Sequence, residues 1–211
     1  MNVELIDVAG GDLSIVNSAR VSFAKESKKF TGNDERLVRY LAKHKHMTPF
    51  RHNFIQLRCS APVFLARQLM KHQAGLTWNE VSRRYVDDMP EFYHPNIWRE
   101  RPTDGIKQGS GGSSAHSDFW AMEATNILER CKSLYRDMLR DNIAPEMARM
   151  VLPQSMMVDF IWSGNLLAFS HVYNLRAGEG AQVEAQQFAE LLSRVIKPEF
   201  PVGWDALTFG A

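Results

Sequence analysis

The sequence predicts an α/β (α+β) protein, with a few short strands sharing a core with several helices, and three observations predict it. Apolar and polar residues alternate over Val3-Glu4-Leu5-Ile6-Asp7-Val8 and again from Ile55 to Ala61, where Gln56, Arg58 and Ser60 intervene; this is the period of a half-buried strand. Between and after these segments, apolar residues recur at helical spacing. The chain has 211 residues, 45% hydrophobic and 23% charged, which suits one domain with a sizeable core or at most two small ones.

The elements follow in order. A first strand over residues 3–8 is closed by Gly10-Gly11, and Asp12 caps a helix running through Phe23. Asn33 or Asp34 caps a second helix that ends near His44, and Thr48-Pro49-Phe50 is a turn, because a residue before proline is pushed out of the helical region. After the strand at 55–61, Pro62 opens a helix through His72. Gln68, Lys71 and His72 would then share one face. Ala74-Gly75 breaks this helix, and Glu80 to Tyr85 runs extended with Glu80, Ser82 and Arg84 on one side. The segment from Thr103 to Ser114, with four glycines and three serines, reads as a mobile surface loop within the domain. Phe119 to Asn142 is a long amphipathic helix and Pro145 to Leu152 a short one stopped by Pro153. Met156 to Trp162 is a strand, Asn165 caps a helix reaching Arg176, and Ala181 to Ile196 is the final helix.

Composition narrows the functional classes. Lys plus Arg number 25 against 24 Asp plus Glu, a net charge of +1; a protein that tracks a nucleic-acid backbone carries a large basic excess. No apolar run is long enough to span a bilayer, and the N-terminus lacks a signal-peptide layout, so no membrane association and a cytoplasmic location are expected. Cys59 and Cys131 form no disulfide framework. His44, His46 and His52 lack a carboxylate or cysteine at ligand spacing, so no metal is expected. Gly-x-Gly-x-x-Gly, a Walker loop and Gly-x-Ser-x-Gly are all absent.

One stretch stands apart. Residues 67–85 hold four cations, one histidine, one carboxylate, two hydroxyls, a phenol and three amides, interleaved with apolar residues. So many groups that are costly to bury unpaired point to a pocket for an anionic, hydrogen-bonding ligand. Arg149, alone in an apolar helix, points into a site or a subunit interface. Arg176 and Arg20 are further candidates, each against the plainer reading of a cation at a helix C-terminus.

These residues resemble the flavin-dependent thymidylate synthases, the thymidylate synthase complementing family. The family signature, Arg-His-Arg followed after seven residues by serine, is matched here by Lys71-His72-Gln73, eight residues, then Ser82 within Asn79-Glu80-Val81-Ser82-Arg83-Arg84-Tyr85. Four other blocks match in order: Ala19 to Phe23, His46 to His52, Ala148 to Pro153, and Asn174-Leu175-Arg176 with Ala181-Gln182. The resemblance implies one compact domain over residues 1–211, with a small mixed or antiparallel sheet and several helices. It implies reductive methylation of dUMP to dTMP, with FAD as cofactor and methylenetetrahydrofolate and NADPH as cosubstrates. A homotetramer with active sites shared between subunits is implied as well. By the same resemblance Gln68, Lys71, Glu80, Val81, Ser82, Arg83, Arg84, Arg149 and Arg176 would line the dUMP site, with Arg176 also catalytic through charge stabilisation on the uracil. Ser22, His46, Thr48, Lys71, His72, Gln73, Glu80, Asn165 and His171 would face FAD. Several positions depart from the family pattern: Lys71 and Gln73 replace arginines, Leu167 stands where another flavin-side arginine is common, Gly180 where histidine is common, and Arg51 where glutamate is frequent. Alternatives are a pyrimidine-nucleotide hydroxymethylase, an enzyme acting on dCMP, or a module that binds nucleotide or nucleic acid without catalysis.

Overall fold

The alternation at 55–61 places Ile55, Leu57, Cys59 and Ala61 in the core, each at most 1% exposed, and this strand is the centre around which the chain is arranged. The computed structural model describes residues 1–103 and 109–208. Its sheet has four strands: β1 (Asn2–Ala9), β2 (Phe54–Pro62), β3 (Leu76–Glu80) and β4 (Met157–Gly164). They lie in the order β1-β2-β4-β3, and every neighbouring pair is antiparallel. Leu57 is opposite Leu5 on one side and Trp162 on the other.

Eight α-helices complete the described residues: α1 (Asp12–Arg20), α2 (Gly32–Lys43), α3 (Val63–Leu69), α4 (Ser117–Arg140), α5 (Pro145–Ala148), α6 (Leu166–Arg176), α7 (Val183–Ile196) and α8 (Pro201–Thr208). The chain is thus an α+β domain with an antiparallel sheet. Trp162, Phe169, Phe188 and Trp204 are fully buried together, so β4, α6, α7 and α8 share one core. Asn165 caps α6 as expected, its Oδ1 accepting from the Ala168 N–H at 3.0 Å.

Several local expectations are corrected. The helix expected through Phe23 ends at Arg20 and continues as a 3-10 turn over Val21–Phe23. Thr31, not Asn33 or Asp34, caps α2, and Asp34 reaches back to the Thr31 N–H at 2.8 Å as the other half of a capping box. The helix expected to reach His72 stops at Leu69, where the N–H groups of Lys71 and His72 bond only three residues back, to Gln68 and Leu69. The extended run expected over residues 80–85 does not continue past Glu80. β3 comes earlier because Trp78 stacks on Phe160 at 3.6 Å and lies opposite Trp162, while Ser82 to Tyr85 close a turn, the Tyr85 N–H donating to Ser82 O at 3.0 Å.

α7 is not the last helix. α8 follows, and the carboxylate of Asp12, far away in sequence, accepts the Val202 and Gly203 N–H groups at 2.8 Å each. Asp12 therefore stabilises the start of α8 instead of capping α1, whose cap is Gly11. Of the loop expected at 103–114, residues 104–108 lie outside the described residues. Further along, Gly111 N donates to Glu100 O, and Gly112 O accepts from Glu100 N.

Candidate functional site

α3, the Glu80–Arg84 turn and the 3-10 turn after α5 enclose a cleft of about 570 Å³. Arg67, Arg83, Arg84 and Arg149 line it together with Glu80, Val81, Ser82 and Gln154, over a floor that includes Val63, Met156 and Val158. Four guanidinium groups against one carboxylate make a cation-rich hollow, and arginine's planar fork suits phosphate oxygens. The turn forms because β3 runs out of partners. Val81 N–H still bonds Asp159 O at 2.9 Å, after which the backbone folds on itself and projects Ser82, Arg83 and Arg84.

The four arginines differ in how far they are committed. Arg83, with its side chain 14% exposed, is braced by Asp88, donating to the carboxylate at 2.8 Å and to the backbone carbonyl at 2.5 Å. Arg84 is exposed, reaching only the Ser82 hydroxyl at 3.4 Å and lying 5.0 Å over the Tyr85 ring. Arg149 is exposed and donates to Glu146 O at 3.3 Å. Long contacts such as these leave most of their donors for a ligand. Arg67 was not among the expected residues. Its signal was its position in α3 one residue before Gln68, which turns it about 100° to a different face of the helix.

Of the residues expected at the nucleotide, the cleft thus gathers Glu80, Val81, Ser82, Arg83, Arg84 and Arg149. Gln68, Lys71 and Arg176 do not line it. Gln68 and Arg176 belong to a second cluster where the end of α6 meets the turn after α3, and Lys71 stands exposed in that turn. There Arg176 Nε donates to His72 Nε2 at 3.1 Å, and its Nη2 donates to Gln68 O at 3.4 Å. Arginine stays protonated, so His72 Nε2 accepts only while that nitrogen carries no proton. Burial, then the charge of Arg176 and then His171, hold the His72 pKa below its ordinary value. Burial also lowers that of Arg176.

The residues expected at the flavin are spread over the surface of the single chain. Ser22, His46, Thr48, Lys71, Gln73 and His171 are exposed. His46 lies near Tyr40 and His44, at ring separations of 6.3 and 6.4 Å. Asn165 spends its Oδ1 on the α6 cap and stands beside Gly75, where an added Cβ would come within 3.0 Å of Asn165 Nδ2. Gly75 has φ +76, the left-handed region that glycine tolerates without strain. Every member of the set except Glu80 offers an N–H or O–H, which suits a ligand rich in phosphate and carbonyl oxygens. Leu167 is a core residue, 4% exposed, and Gly180 is exposed. Arg20 is structural: it donates to the buried Asp34 carboxylate at 2.6 Å and to Ser27 Oγ at 2.6 Å. Among the described residues no three His, Cys, Asp or Glu side chains converge as a metal set, and no helix is long and apolar enough to cross a membrane.

Comparison with known proteins places this arrangement. Residues 4–202 match the family model described as thymidylate synthase complementing protein. A flavin-dependent thymidylate synthase of Thermus thermophilus is 34% identical over 204 residues, covering 97% of this chain and 74% of the relative. One from Thermosipho melanesiensis is 36% identical over 200 residues, covering 94% and 86%. In three dimensions the chain is similar to a UMP/dUMP methylase, PolB from Streptomyces cacaoi, in a crystal structure bound with 5-Br dUMP. The TM-score is 0.89 at 32% identity, over 99% of this chain and 94% of that one. With the family model matched over nearly its whole length, the chain belongs to the thymidylate synthase complementing protein family.

Proposed function

We propose that this protein is a flavin-dependent pyrimidine-nucleotide methylase that converts dUMP to dTMP, with methylenetetrahydrofolate as carbon donor and NADPH as reductant. The observation that carries the reading is the cleft of Arg67, Arg83, Arg84 and Arg149 around the Ser82 hydroxyl, a hollow matched to a nucleotide phosphate. Arg83, braced by Asp88, contributes fixed charge, and Arg84 and Arg149 close on the phosphate through charge-assisted bonds. Arg176, held by His72 and the Gln68 carbonyl, faces the pyrimidine and stabilises negative charge developing there, which activates the ring carbon for attack.

FAD, held by Ser22, His46, Thr48, Lys71, His72, Gln73, Asn165 and His171 with Glu80 alongside, would supply the hydride. Lys71 is the one fixed cation in that set, and its compact ammonium substitutes for an arginine's charge without the fork.

The two clusters work in pairs of subunits. Arg149 shares a cleft with Ser82, Arg83 and Arg84 of its own chain, whereas Gln68 and Arg176 stand apart. One subunit supplies the phosphate cleft and its neighbour the base-facing groups, within a homotetramer. α4 supports such an assembly, because Phe119, Trp120, Met122, Ile127 and Leu134 are exposed along it, a larger apolar surface than an isolated helix face leaves in water.

A second reading keeps the chemistry and admits UMP, favoured by the description of the Streptomyces cacaoi protein as a UMP/dUMP methylase. Incubating the protein with FAD, NADPH, methylenetetrahydrofolate and either dUMP or UMP, then weighing the nucleotide by mass spectrometry, tests both. Gain of one methyl group on dUMP is the expected result. Methylation of UMP, with or without dUMP, selects the second reading, gain of a hydroxymethyl group replaces both with a hydroxymethylase, and an unchanged nucleotide under every condition refutes methylation.

A further inference from the structure

The Gln68 side chain points along a line of polar contacts that runs away from the arginine cleft. Its Nε2 donates to Gln182 Oε1 at 2.7 Å, and Gln182 Nε2 donates to Glu184 Oε2 at 2.9 Å. Glu184 Oε1 in turn accepts from Arg99 Nη2 at 2.5 Å, and Arg99 Nε donates to Ser110 Oγ at 2.7 Å. The Glu184 side chain is only 3% exposed. Burial raises its pKa, but hydrogen bonds from Arg99 and Gln182 and the charge of Arg99 outweigh burial and keep it below the ordinary value.

An ionised carboxylate can only accept hydrogen bonds. Gln182 must therefore turn its NH₂ toward Glu184, which leaves only its Oε1 to meet Gln68. Gln68 must then turn its own NH₂ toward Gln182. Oxygen and nitrogen of a glutamine amide look alike, but here the buried ion pair dictates the direction of both amides. The carbonyl oxygen that this orientation turns away from Gln182 is the Gln68 Oε1, a pure acceptor.

We propose that Gln182 and Glu184 are positioning residues that fix the polarity of the Gln68 amide, so that Gln68 offers a carbonyl oxygen to a hydrogen-bond donor on the pyrimidine nucleotide. The inference rests on the nucleotide reading above. The donor is the ring N3–H of uracil or a hydroxyl of the sugar. Holding the relay through a buried charge makes the selection rigid, because flipping Gln68 would leave two acceptor oxygens facing each other, its own and Gln182 Oε1. The substitution Glu184→Gln reverses the logic: the new amide would hold Arg99 with its oxygen and turn its NH₂ to Gln182, and both downstream amides would invert.

The test is calorimetric titration of the wild-type protein, Gln182→Leu and Glu184→Gln with dUMP, dCMP and 2′,3′-dideoxyuridine 5′-monophosphate. dCMP replaces the ring donor with an acceptor, and the dideoxy nucleotide removes the sugar donor. The wild type should bind one of the two about tenfold more weakly than dUMP, the range of one lost hydrogen bond to a fixed partner. In both variants that ratio should fall to about twofold or less, and the analogue affected identifies the donor. Gln182→Leu leaves the Arg99–Glu184 pair intact, so it decides the matter if Glu184→Gln does not fold. Ratios unchanged in the variants, including a uniform weakening of all three ligands, overturn the relay alone. A wild-type protein that binds none of the three overturns the nucleotide reading and the relay together.

Discussion

Arg84 and Arg149 stand exposed with one long side-chain hydrogen bond each, whereas Arg176, half-buried at the end of α6, is tied to His72 and to Gln68 of a different element. The first pair is exposed with most of its donors uncommitted, and in the proposed reading a phosphate becomes their partner. Arg176 is oriented before anything binds. A group that must grip a substrate needs strength in ground and transition states alike. A group that must meet charge developing at one atom needs its direction fixed in advance, because reorganisation during the reaction would consume the stabilisation. In the proposed reading the two clusters divide a nucleotide along this line, phosphate to the open cleft and base to the preorganised one.

The largest effect expected from this division is on turnover. Arg176→Ala should lower kcat by about 10²- to 10³-fold, the cost of removing one preorganised donor from a developing anion. Arg84→Ala should instead raise KM about ten- to a hundredfold with kcat nearly kept, the mark of lost uniform binding. Steady-state kinetics on both variants checks this, and the same KM-dominated loss in both would erase the distinction between the clusters.

A smaller effect sharpens the comparison through pH. Because burial, Arg176 and His171 hold His72 below its ordinary pKa, the folded protein keeps His72 neutral while the unfolded chain takes up a proton near pH 6.5. The stability contributed here is complete above that value and is lost as pH falls through it toward the lower folded pKa. Gln at this position keeps an acceptor where His72 Nε2 stands and does not titrate. Melting temperature should therefore fall less between pH 7 and 5 in His72→Gln than in the wild type. Parallel curves would show that the Arg176–His72 bond is indifferent to protonation. No histidine lines the open cleft, so this pH dependence belongs to the preorganised cluster.

The arginine cleft is largely legible in the sequence and the second cluster much less so. Glu80 to Arg84 are contiguous, and a local run of donors announces a site whatever its backbone does. The cluster stands even though its expected extended form is a turn, because β3 is set by the stacking of Trp78 on Phe160 across the sheet. Arg67 is one of the cations of the 67–85 stretch, but its place at the cleft depends on which face of α3 meets it, and that is not local information. The Gln68–Gln182–Glu184–Arg99 line begins with a bond between residues 114 apart, and no local pattern announces such a meeting. β2 and the Asn165 cap are legible because alternation and capping are local. α8 is not, because the Asp12 carboxylate that receives its first N–H groups is 190 residues away. Arg20 shows the opposite error: its place in a matching block suggests a site, yet its charge is spent on Asp34 inside the fold.

The proposed division of labour between clusters on neighbouring subunits is tested most directly by mixing two inactive chains. Arg149→Ala and Arg176→Ala would each disable every site alone. After subunit exchange about half of the paired subunits are mixed, and each mixed pair holds one site with both arginines intact and one with neither. Recovery of roughly a quarter of wild-type activity is the predicted result for sites shared across a two-fold interface. Activity that stays at the level of the separate variants, in a mixture shown by mass spectrometry to have exchanged subunits, would mean that Arg149 and Arg176 serve the same site within one chain and would contradict the division.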